Sequence, residues 1–290
     1  MKKLIAIVIL ALLLTPIAEA KKRPKFKPYQ LVSQTYKEFA LAVTDVRQKL
    51  SASDFELVGE YTPYAGAHIF TFTNPELLKS ASQGELGGFG AVLRMSVTEV
   101  DNEIQVAFVT PTYMTYLYRI PEAPGVEALL DKVFGKTKSF GSKKAKNRSY
   151  LSSYQYMMFM PEFDDPDVLG SFDSHQEALS IVNTNLKNTD LKLKKVFQVA
   201  IPDKDEVLIG VGILDGEGGD ANVMSVTDKG ALRHSAHLPY ALLISDKTAY
   251  ALAGKFRIAS SFPDLGMGTF MEISEAPDDI KNQLTKLTKK

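Results

Sequence analysis

A β-hairpin pattern that occurs twice is the feature that most restricts how this chain can fold. Residues 89–120 read FGAVLRMSVTEVDNEIQVAFVTPTYMTYLYRI, which predicts two strands joined by a tight turn at Asp101-Asn102. A proline, Pro111, and an aromatic segment follow this hairpin. A weaker copy spans residues 238–273, where we match Pro263 to Pro111.

Apolar positions ahead of the hairpins recur as well. Ala42, Val43, Val46 and Leu50 return 136 residues later, at helical spacing, as Ala178, Leu179, Val182 and Leu186. The separation of matched residues grows toward the hairpins, to 152 for the two prolines. Two copies that share one order of helices and strands, with loop insertions in the second copy, give a separation that grows in this way. The sequence therefore predicts an internal duplication.

Each copy begins with a predicted helix. In the first copy Thr35 and Glu38 match a capping box, which predicts a helix over residues 35–50, and Ser174 with Glu177 is the corresponding pair in the second. Strands are predicted at residues 55–61 and 67–73. Asn74-Pro75 then predicts a short helix over residues 75–81, because Asn caps helices and Pro suits the first turn.

Both faces of the hairpin carry apolar residues. Ile104, Val106 and Phe108 point to one side, whereas Ala107 and Val109 point to the other. In a sheet with one face exposed to water, apolar and polar residues alternate more regularly along each strand. We therefore predict an α+β fold of two duplicated units, each an antiparallel sheet with helices on one face. The other face should meet the second unit, as in a dimer within one chain, or a ligand.

The N-terminus predicts export. Lys2 and Lys3 precede an apolar run at residues 4–14, and Ala18-Glu19-Ala20 fits a signal-peptidase site, so residues 1–20 read as a signal peptide. The expected domains are a basic leader at 21–33, a first unit at 34–120, a connector at 121–170 and a second unit at 171–290. No later run is apolar enough for an integral membrane span. The expected location is periplasmic or secreted.

Charge and cysteine content exclude several classes. Lys+Arg and Asp+Glu are both 34, and a nucleic-acid binder needs a basic excess. The chain has no cysteine, which rules out disulfides and thiol chemistry and leaves the core to supply the stability of an exported protein.

The connector has a composition of its own. Residues 150–160, YLSSYQYMMFM, predict a strand, and Met157, Met158 and Met160 within it could hold Cu(I) through their thioethers. Core packing is favoured, because alternation puts Met157 on the opposite face from the other two. A basic run before this strand, with Lys143, is expected to be solvated or to meet an anionic partner.

Residues 69–118 resemble a bacterial family called domain of unknown function three hundred and two. The matching stretches are IFTFTNPELL, GAVLRMSV and IQVAFVTPTYM, with Leu238-Pro239 and SSFPDL in the second unit. The first unit departs from the family pattern in lacking Leu-Pro, and the second in lacking Asn-Pro. The resemblance implies tandem copies of a unit with helices on an antiparallel sheet. It implies no activity, because the family has none established.

No motif indicates catalysis, a resident metal or a cofactor. His234 and His237 could share a metal on one helical turn, but no further ligand is near in sequence, and a solvated loop is favoured. No nucleophile lies in a recognised arrangement. The sequence leaves open whether the methionine or histidine group binds metal.

The candidate ligand-binding residues are Arg94, Tyr113, Tyr116, Asn74 and His68. Arg94 points away from Leu93 and Met95 on its strand, toward the expected junction of the units. Tyrosines with large apolar area and a polar tip suit a binding surface, and they suit a seam between units equally well.

The predicted function is that of an exported, soluble, non-enzymatic module that binds a small ligand or a periplasmic protein. The alternative is a periplasmic hydrolase-like enzyme, with His68 and Glu99 as acid–base residues, or a metal- or haem-handling protein. A pocket that contains two titratable groups with strongly shifted pKa values would favour the enzyme.

Overall fold

The structure, a computed structural model, describes residues 24–32 and 35–290. The predicted signal peptide, residues 1–20, lies outside these ranges. Within them, each helix is either too short or too polar to pass through a lipid bilayer.

The first half of the chain forms an antiparallel sheet of six strands in the spatial order β2-β3-β4-β5-β1-β6. The strands are β1 (Tyr29–Leu31), β2 (Glu56–Tyr64), β3 (Ala67–Thr73), β4 (Leu93–Val100), β5 (Glu103–Val109) and β6 (Lys138–Phe140). The helices are α1 (Phe39–Ser51), α2 (Pro75–Ala81), α3 (Pro111–Leu117), α4 (Pro124–Phe134) and α5 (Arg148–Ser152).

The second half forms a five-stranded antiparallel sheet in the order β8-β9-β10-β11-β7. Its strands are β7 (Asp167–Ser171), β8 (Leu193–Ala200), β9 (Glu206–Ile213), β10 (Tyr240–Ser245) and β11 (Thr248–Ala251). Its helices are α6 (His175–Asn185), α7 (Asp220–Thr227), α8 (Gly254–Ser261), α9 (Met267–Glu272) and α10 (Ala276–Lys286). The α+β class predicted from the sequence is confirmed.

The two halves share one topology. Each runs strand, helix, two strands, helix, a short 3-10 turn, two strands and a helix, and the first strand of each pairs with the last strand of its hairpin. The 3-10 turns are Gly87–Gly90 and Ser235–His237. This common plan is what a duplication predicts.

The strand registers define which residues are equivalent. Met95 pairs with Phe108, three residues before α3, and Leu242 pairs with Ala251, three residues before α8. The position equivalent to Pro111 is therefore Gly254. The match of Pro111 to Pro263 made from the sequence is wrong, because Pro263 lies beyond the end of α8.

Local signals explain the elements that were predicted well. The Asn74 side chain accepts a hydrogen bond from the Leu77 amide at 2.8 Å, which caps α2. Asp101 and Asn102 both have positive φ, 49° and 65°, as the tight turn between β4 and β5 requires.

The predicted cap of the first helix is wrong. Helix α1 begins at Phe39, and Glu38 occupies the N-cap position without a side-chain hydrogen bond. In the second half Ser174 does cap α6, because its hydroxyl accepts the Glu177 amide at 3.1 Å.

Part of the basic leader forms a strand of the first sheet. Within residues 24–32, Phe26 bridges to Lys146 and Tyr29 is 1% exposed in β1, which lies between β5 and β6. Pairing with residues far along the chain orders this segment, and its proline-rich sequence carries no local signal of a strand.

The connector also differs from expectation. Residues 150–160 form no strand: α5 ends at Ser152 and turns follow. Met158 is 75% exposed, so the core packing favoured for it is wrong. Strand β6 joins the first sheet and β7 the second, so the connector is divided between the two halves.

The two halves pack through equivalent parts. Edge strands β2 and β8 touch so closely that a Cβ added at Gly59 would lie 2.1 Å from the Val196 carbonyl oxygen. The turn Gly87–Gly90 packs on β9 and β10, and the turn Ser235–His237 packs on β3, β4 and β5. Each sheet thus has helices of its own half on one face and the other half of the chain on the opposite face.

Candidate functional site

Two arginines meet at the junction of the halves, and we call Arg94 and Arg257 the arginine pair. Arg94 lies on the face of β4 turned away from α1, and its side chain is buried, with the residue 3% exposed. Arg257 is on α8 and 8% exposed. Burial, together with the charge of Arg257, lowers the pKa of Arg94 to about 10, so the Arg94 guanidinium is charged at neutral pH.

The two guanidiniums differ in their hydrogen bonds. Arg257 Nη1 donates to the Ser261 hydroxyl at 2.5 Å, and Nη2 donates to the His237 carbonyl oxygen. The Arg94 guanidinium makes no hydrogen bond to any described residue, and its Nε is buried without an acceptor. No carboxylate of the described chain forms an ion pair with either guanidinium.

A buried carboxyl group joins the halves nearby. The Tyr61 hydroxyl on β2 donates to Asp220 Oδ2 on α7 at 2.9 Å, whereas Asp220 Oδ1 has no partner among the described residues. Burial raises the pKa of Asp220 to about 7, and the bond from Tyr61 partly offsets that rise.

Lysines from four separate segments surround a cleft of about 550 Å³ on the surface of the junction. These are Lys27 before β1, Lys138 in β6, Lys143 in the connector and Lys229 after α7, and we call this the lysine cleft. None of the four forms an ion pair with another described residue. The volume lies within the usual range for small-molecule sites.

The floor of the lysine cleft is aromatic. The His234 ring stacks on Phe262 with centroids 4.8 Å apart, and Phe140 lies 5.7 Å from the same imidazole. Burial lowers the pKa of His234 to about 4, so this imidazole is neutral at neutral pH. The floor therefore offers apolar surface beneath the four lysines, and the carboxyl groups of Asp228 and Asp264 also line the cleft.

Asp228 stands in the wall of the lysine cleft. Its Oδ1 accepts a hydrogen bond from the His234 amide at 2.8 Å, and its Oδ2 accepts one from the Ser235 hydroxyl at 3.4 Å. Burial raises the pKa of Asp228 to about 6. A second cleft of about 440 Å³, lined by Tyr64 and Arg233, shares Asp228 and Lys229 with the first.

The structure brings together only part of the predicted site. Arg94 and Tyr113 line the same small cavity at the junction, and the Tyr113 hydroxyl donates to the Ser260 carbonyl oxygen at 2.9 Å. Tyr116 is directed elsewhere and donates to Glu122 at 2.5 Å.

The other two predicted residues have local roles. Asn74 caps α2 and is 7% exposed. His68 Nε2 lies 3.3 Å from Glu60 on β2. Burial lowers the pKa of His68.

Sequence reasoning did not single out Arg257 or three of the four cleft lysines. Their sequence neighbourhoods are unremarkable, and they converge only through the pairing of β6 with β1 and the packing of the two halves. Lys143 was noticed as part of a basic run. The sequence signal for Lys27 is of the same kind, because this residue lies in the basic leader.

The histidine pair lies in the junction and not in a solvated loop, since His237 is 1% exposed. Among residues 24–32 and 35–290, no group of three or more His, Asp or Glu side chains is arranged to hold a metal ion. The His237 Nδ1 has no partner within this part of the chain.

Comparison with known proteins gives no match: no protein-family model, no curated protein and no solved structure is similar to the chain.

Proposed function

We propose that the protein is a binding module that takes a small anionic ligand in the lysine cleft. One observation carries this proposal: four lysines without ion-pair partners in the described chain converge on one cavity of ligand size. Separate cationic side chains around one cavity repel each other, and an anion relieves that repulsion while accepting charge-assisted hydrogen bonds.

The cleft also supports a class of ligand. Phosphate or carboxylate groups suit the lysines of the rim, and an apolar or ring-shaped portion suits the surface formed by Phe140, His234 and Phe262. We therefore propose an organic anion with a planar portion, such as a phosphorylated or carboxylated ring compound.

Thermal unfolding with a panel of ligands tests the proposal. The panel contains inorganic phosphate, citrate, pyridoxal phosphate, a nucleoside monophosphate and the matching neutral nucleoside. A ligand of the native state raises the apparent unfolding temperature. The expected result is stabilisation by a ring-bearing anion and none by the neutral nucleoside, and a panel without any stabilising anion would overturn the proposal.

Paired charge reversals give the control. Lys138→Glu with Lys229→Glu should weaken binding of the hit at least about tenfold, because charge-assisted hydrogen bonds contribute about 1.5–3 kcal/mol each. Lys187→Glu with Lys289→Glu changes the net charge equally on exposed residues outside the cleft and should leave binding nearly unchanged. Equal losses in both variants would point to a general charge effect.

A second candidate function is a hydrolase-like enzyme that uses Asp228 and His234. Both line the lysine cleft, and their pKa values are shifted in opposite directions by burial, toward about 6 and about 4. Such shifts are typical of acid–base sites. This pair replaces His68 and Glu99, because His68 is bonded to Glu60 outside the cleft. Turnover of a stabilising ligand, lost in Asp228→Asn while binding persists, would establish the enzyme.

Export and duplication are part of the same proposal. We infer a periplasmic or secreted protein from the charged start, apolar run and cleavage motif of residues 1–20. Purification from a fractionated cell and N-terminal sequencing should give Lys21 as the first residue. The common topology and reciprocal packing of the halves support tandem copies arranged as a dimer within one chain, as does the resemblance to the family of unknown function.

A further inference from the structure

The arginine pair has a charge that the surrounding protein does not balance. Arg94 and Arg257 are 3% and 8% exposed, and neither forms an ion pair with a described carboxylate. The Arg94 guanidinium has no hydrogen-bond acceptor among the described residues. Charges taken out of water are costly unless an opposite charge or several hydrogen bonds compensate them, so the pair needs a compensating group.

The arginine pair lines two small cavities. One of about 20 Å³ is lined by Arg94, Arg257 and Tyr118, together with Tyr29, Tyr113 and two serines of α8. The other, of about 10 Å³, is lined by the same arginines and Tyr118, with Tyr240 and Leu252. Volumes of this size hold a particle about as large as a water molecule and exclude any organic anion.

Donors dominate the polar lining. Arg94 Nε is unpartnered, and the Tyr118 hydroxyl forms no hydrogen bond within the described chain. Burial raises the pKa of Tyr29 far above the ordinary value for a tyrosine, so its hydroxyl keeps its proton and can donate. The Tyr113 proton is already used in the hydrogen bond to the Ser260 carbonyl oxygen. A site of guanidinium and hydroxyl donors with no carboxylate suits an anion.

The pair is not a feature of the common plan of the two halves. Through the strand registers, the position equivalent to Arg94 is Ala241, and the position equivalent to Arg257 is Met114. The same kind of sheet face and the same kind of helix therefore form without an arginine. Both arginines lie at one point of the junction, although the fold does not require an arginine at either position.

We propose that the arginine pair binds a halide-sized anion, with chloride as the natural occupant, buried between the two halves. The site is separate from the lysine cleft, whose lining contains neither arginine. A bound anion links β4 of the first half to α8 of the second, so chloride stabilises the junction and the fold with it.

Diffraction with bromide tests the site directly. Crystals grown in sodium bromide should give an anomalous difference peak beside Arg94 and Arg257, at one of the two cavities. Peaks confined to the surface lysines, with only water at the arginine pair, would overturn the proposal.

Unfolding in solution gives the second test. At constant ionic strength, replacing gluconate with chloride should raise the unfolding temperature of the wild-type protein along a saturable curve. Arg94→Met should abolish this dependence while remaining folded in gluconate, because methionine fills similar volume without a charge. A chloride response that is not saturable, or that persists in Arg94→Met, would contradict the proposal.

Two further measurements keep the outcomes distinct. The double variant Lys138→Glu, Lys229→Glu should lose the organic ligand and keep the saturable chloride response, so the two sites succeed or fail separately. If Arg94→Met does not fold, chloride-35 NMR line broadening on the wild-type protein, reversed by competing bromide, replaces the variant. Absence of specific broadening then counts against the site.

Discussion

The faces of the two sheets that are turned toward the junction differ in polarity. On β4 the residues turned toward the second half are Arg94, Ser96 and Thr98, whereas the equivalent positions of β10 are Ala241, Leu243 and Ser245. One face of the junction is therefore polar and the other is largely apolar. Because the backbone topology of the two halves is the same, the polar chemistry at the junction comes from side-chain differences on one fold.

The faces that carry their own helices differ in size of side chain. Phe70 and Phe108 on the first sheet are equivalent to Ile209 and Ala251 on the second. Each half also has helices beyond the common plan: Val126 and Leu130 of α4 belong to the first core cluster, and Ile280 of α10 belongs to the second. The two cores are therefore filled by different combinations of sheet and helix side chains.

Truncating equivalent core residues should have the largest effect. Phe70 and Ile209 are both fully buried, so Phe70→Ala should cost about 3–5 kcal/mol and Ile209→Ala about 2–5 kcal/mol of unfolding free energy. The core cluster that contains Phe70 also contains residues of the second half, such as Phe197 and Leu243. Both variants should therefore lower the urea midpoint of a single unfolding transition. Far-UV circular dichroism measures this transition.

Tyrosine fluorescence supplies the independent probe for that experiment, because the chain contains no tryptophan. Phe70→Leu and Ile209→Val are the milder controls. Two separated transitions, each sensitive to only one of the truncations, would show that the halves fold independently and do not share a core.

Asp220 gives a pH-dependent effect across the junction. Its pKa is raised from 3.8 to about 7 by burial, so the folded state holds the proton more tightly than the unfolded chain. This stabilising contribution is fully present below about pH 3.8 and is lost as the pH rises through about 7. The difference corresponds to on the order of 4 kcal/mol between these limits.

The variant Asp220→Asn removes that titration. Plotted against pH from 4 to 8, the stability of Asp220→Asn relative to wild type should therefore rise. Tyr61→Phe is the companion variant: losing its hydrogen bond should move the pKa of Asp220 higher still, as followed by carboxyl NMR. A flat difference curve would mean that Asp220 is not protonated in the folded protein near neutrality.

Gly59 tests how closely the edge strands approach. A Cβ there would lie 2.1 Å from the Val196 carbonyl oxygen of β8, so Gly59→Ala should cost about 1–3 kcal/mol as the strands move apart. Gly268→Ala in α9 is the matched control: nothing lies within 4 Å of its added Cβ, and alanine favours the helix by up to about 1 kcal/mol. Urea midpoints should move in opposite directions; a neutral Gly59→Ala would argue against tight edge packing.

The sequence predicts elements well where the signal is local. Asn74-Pro75, the Asp101-Asn102 turn and the alternation of β4 and β5 each depend on a few neighbouring residues, and alternation alone placed Arg94 on the junction face. Strand β1 was missed because its three residues are ordered by pairing with β5 and β6, far along the chain.

The candidate site was less predictable for the same reason. Arg257 meets Arg94 only because α8 of one half packs near β4 of the other, and no spacing in the sequence encodes that approach. The four cleft lysines come from segments that are up to about two hundred residues apart. Tyr116 is a different case. The sequence makes it a candidate ligand-binding residue, but its position on α3 directs its hydroxyl to Glu122.

The smallest predicted effect concerns the caps of the equivalent helices α1 and α6. Ser174 accepts the Glu177 amide and caps α6, whereas Glu38 at the start of α1 makes no such bond although its φ of −132° and ψ of 133° suit a capping residue. Ser174→Ala should therefore cost about 1 kcal/mol, and Glu38→Ser should gain up to about that amount. The measurement is the shift of the urea midpoint, with Glu38→Ala as the control that removes the carboxylate without adding a cap. A gain shared by Glu38→Ser and Glu38→Ala would assign the effect to lost charge, and a gain confined to serine would show that the unequal caps are a real difference in stability between the halves.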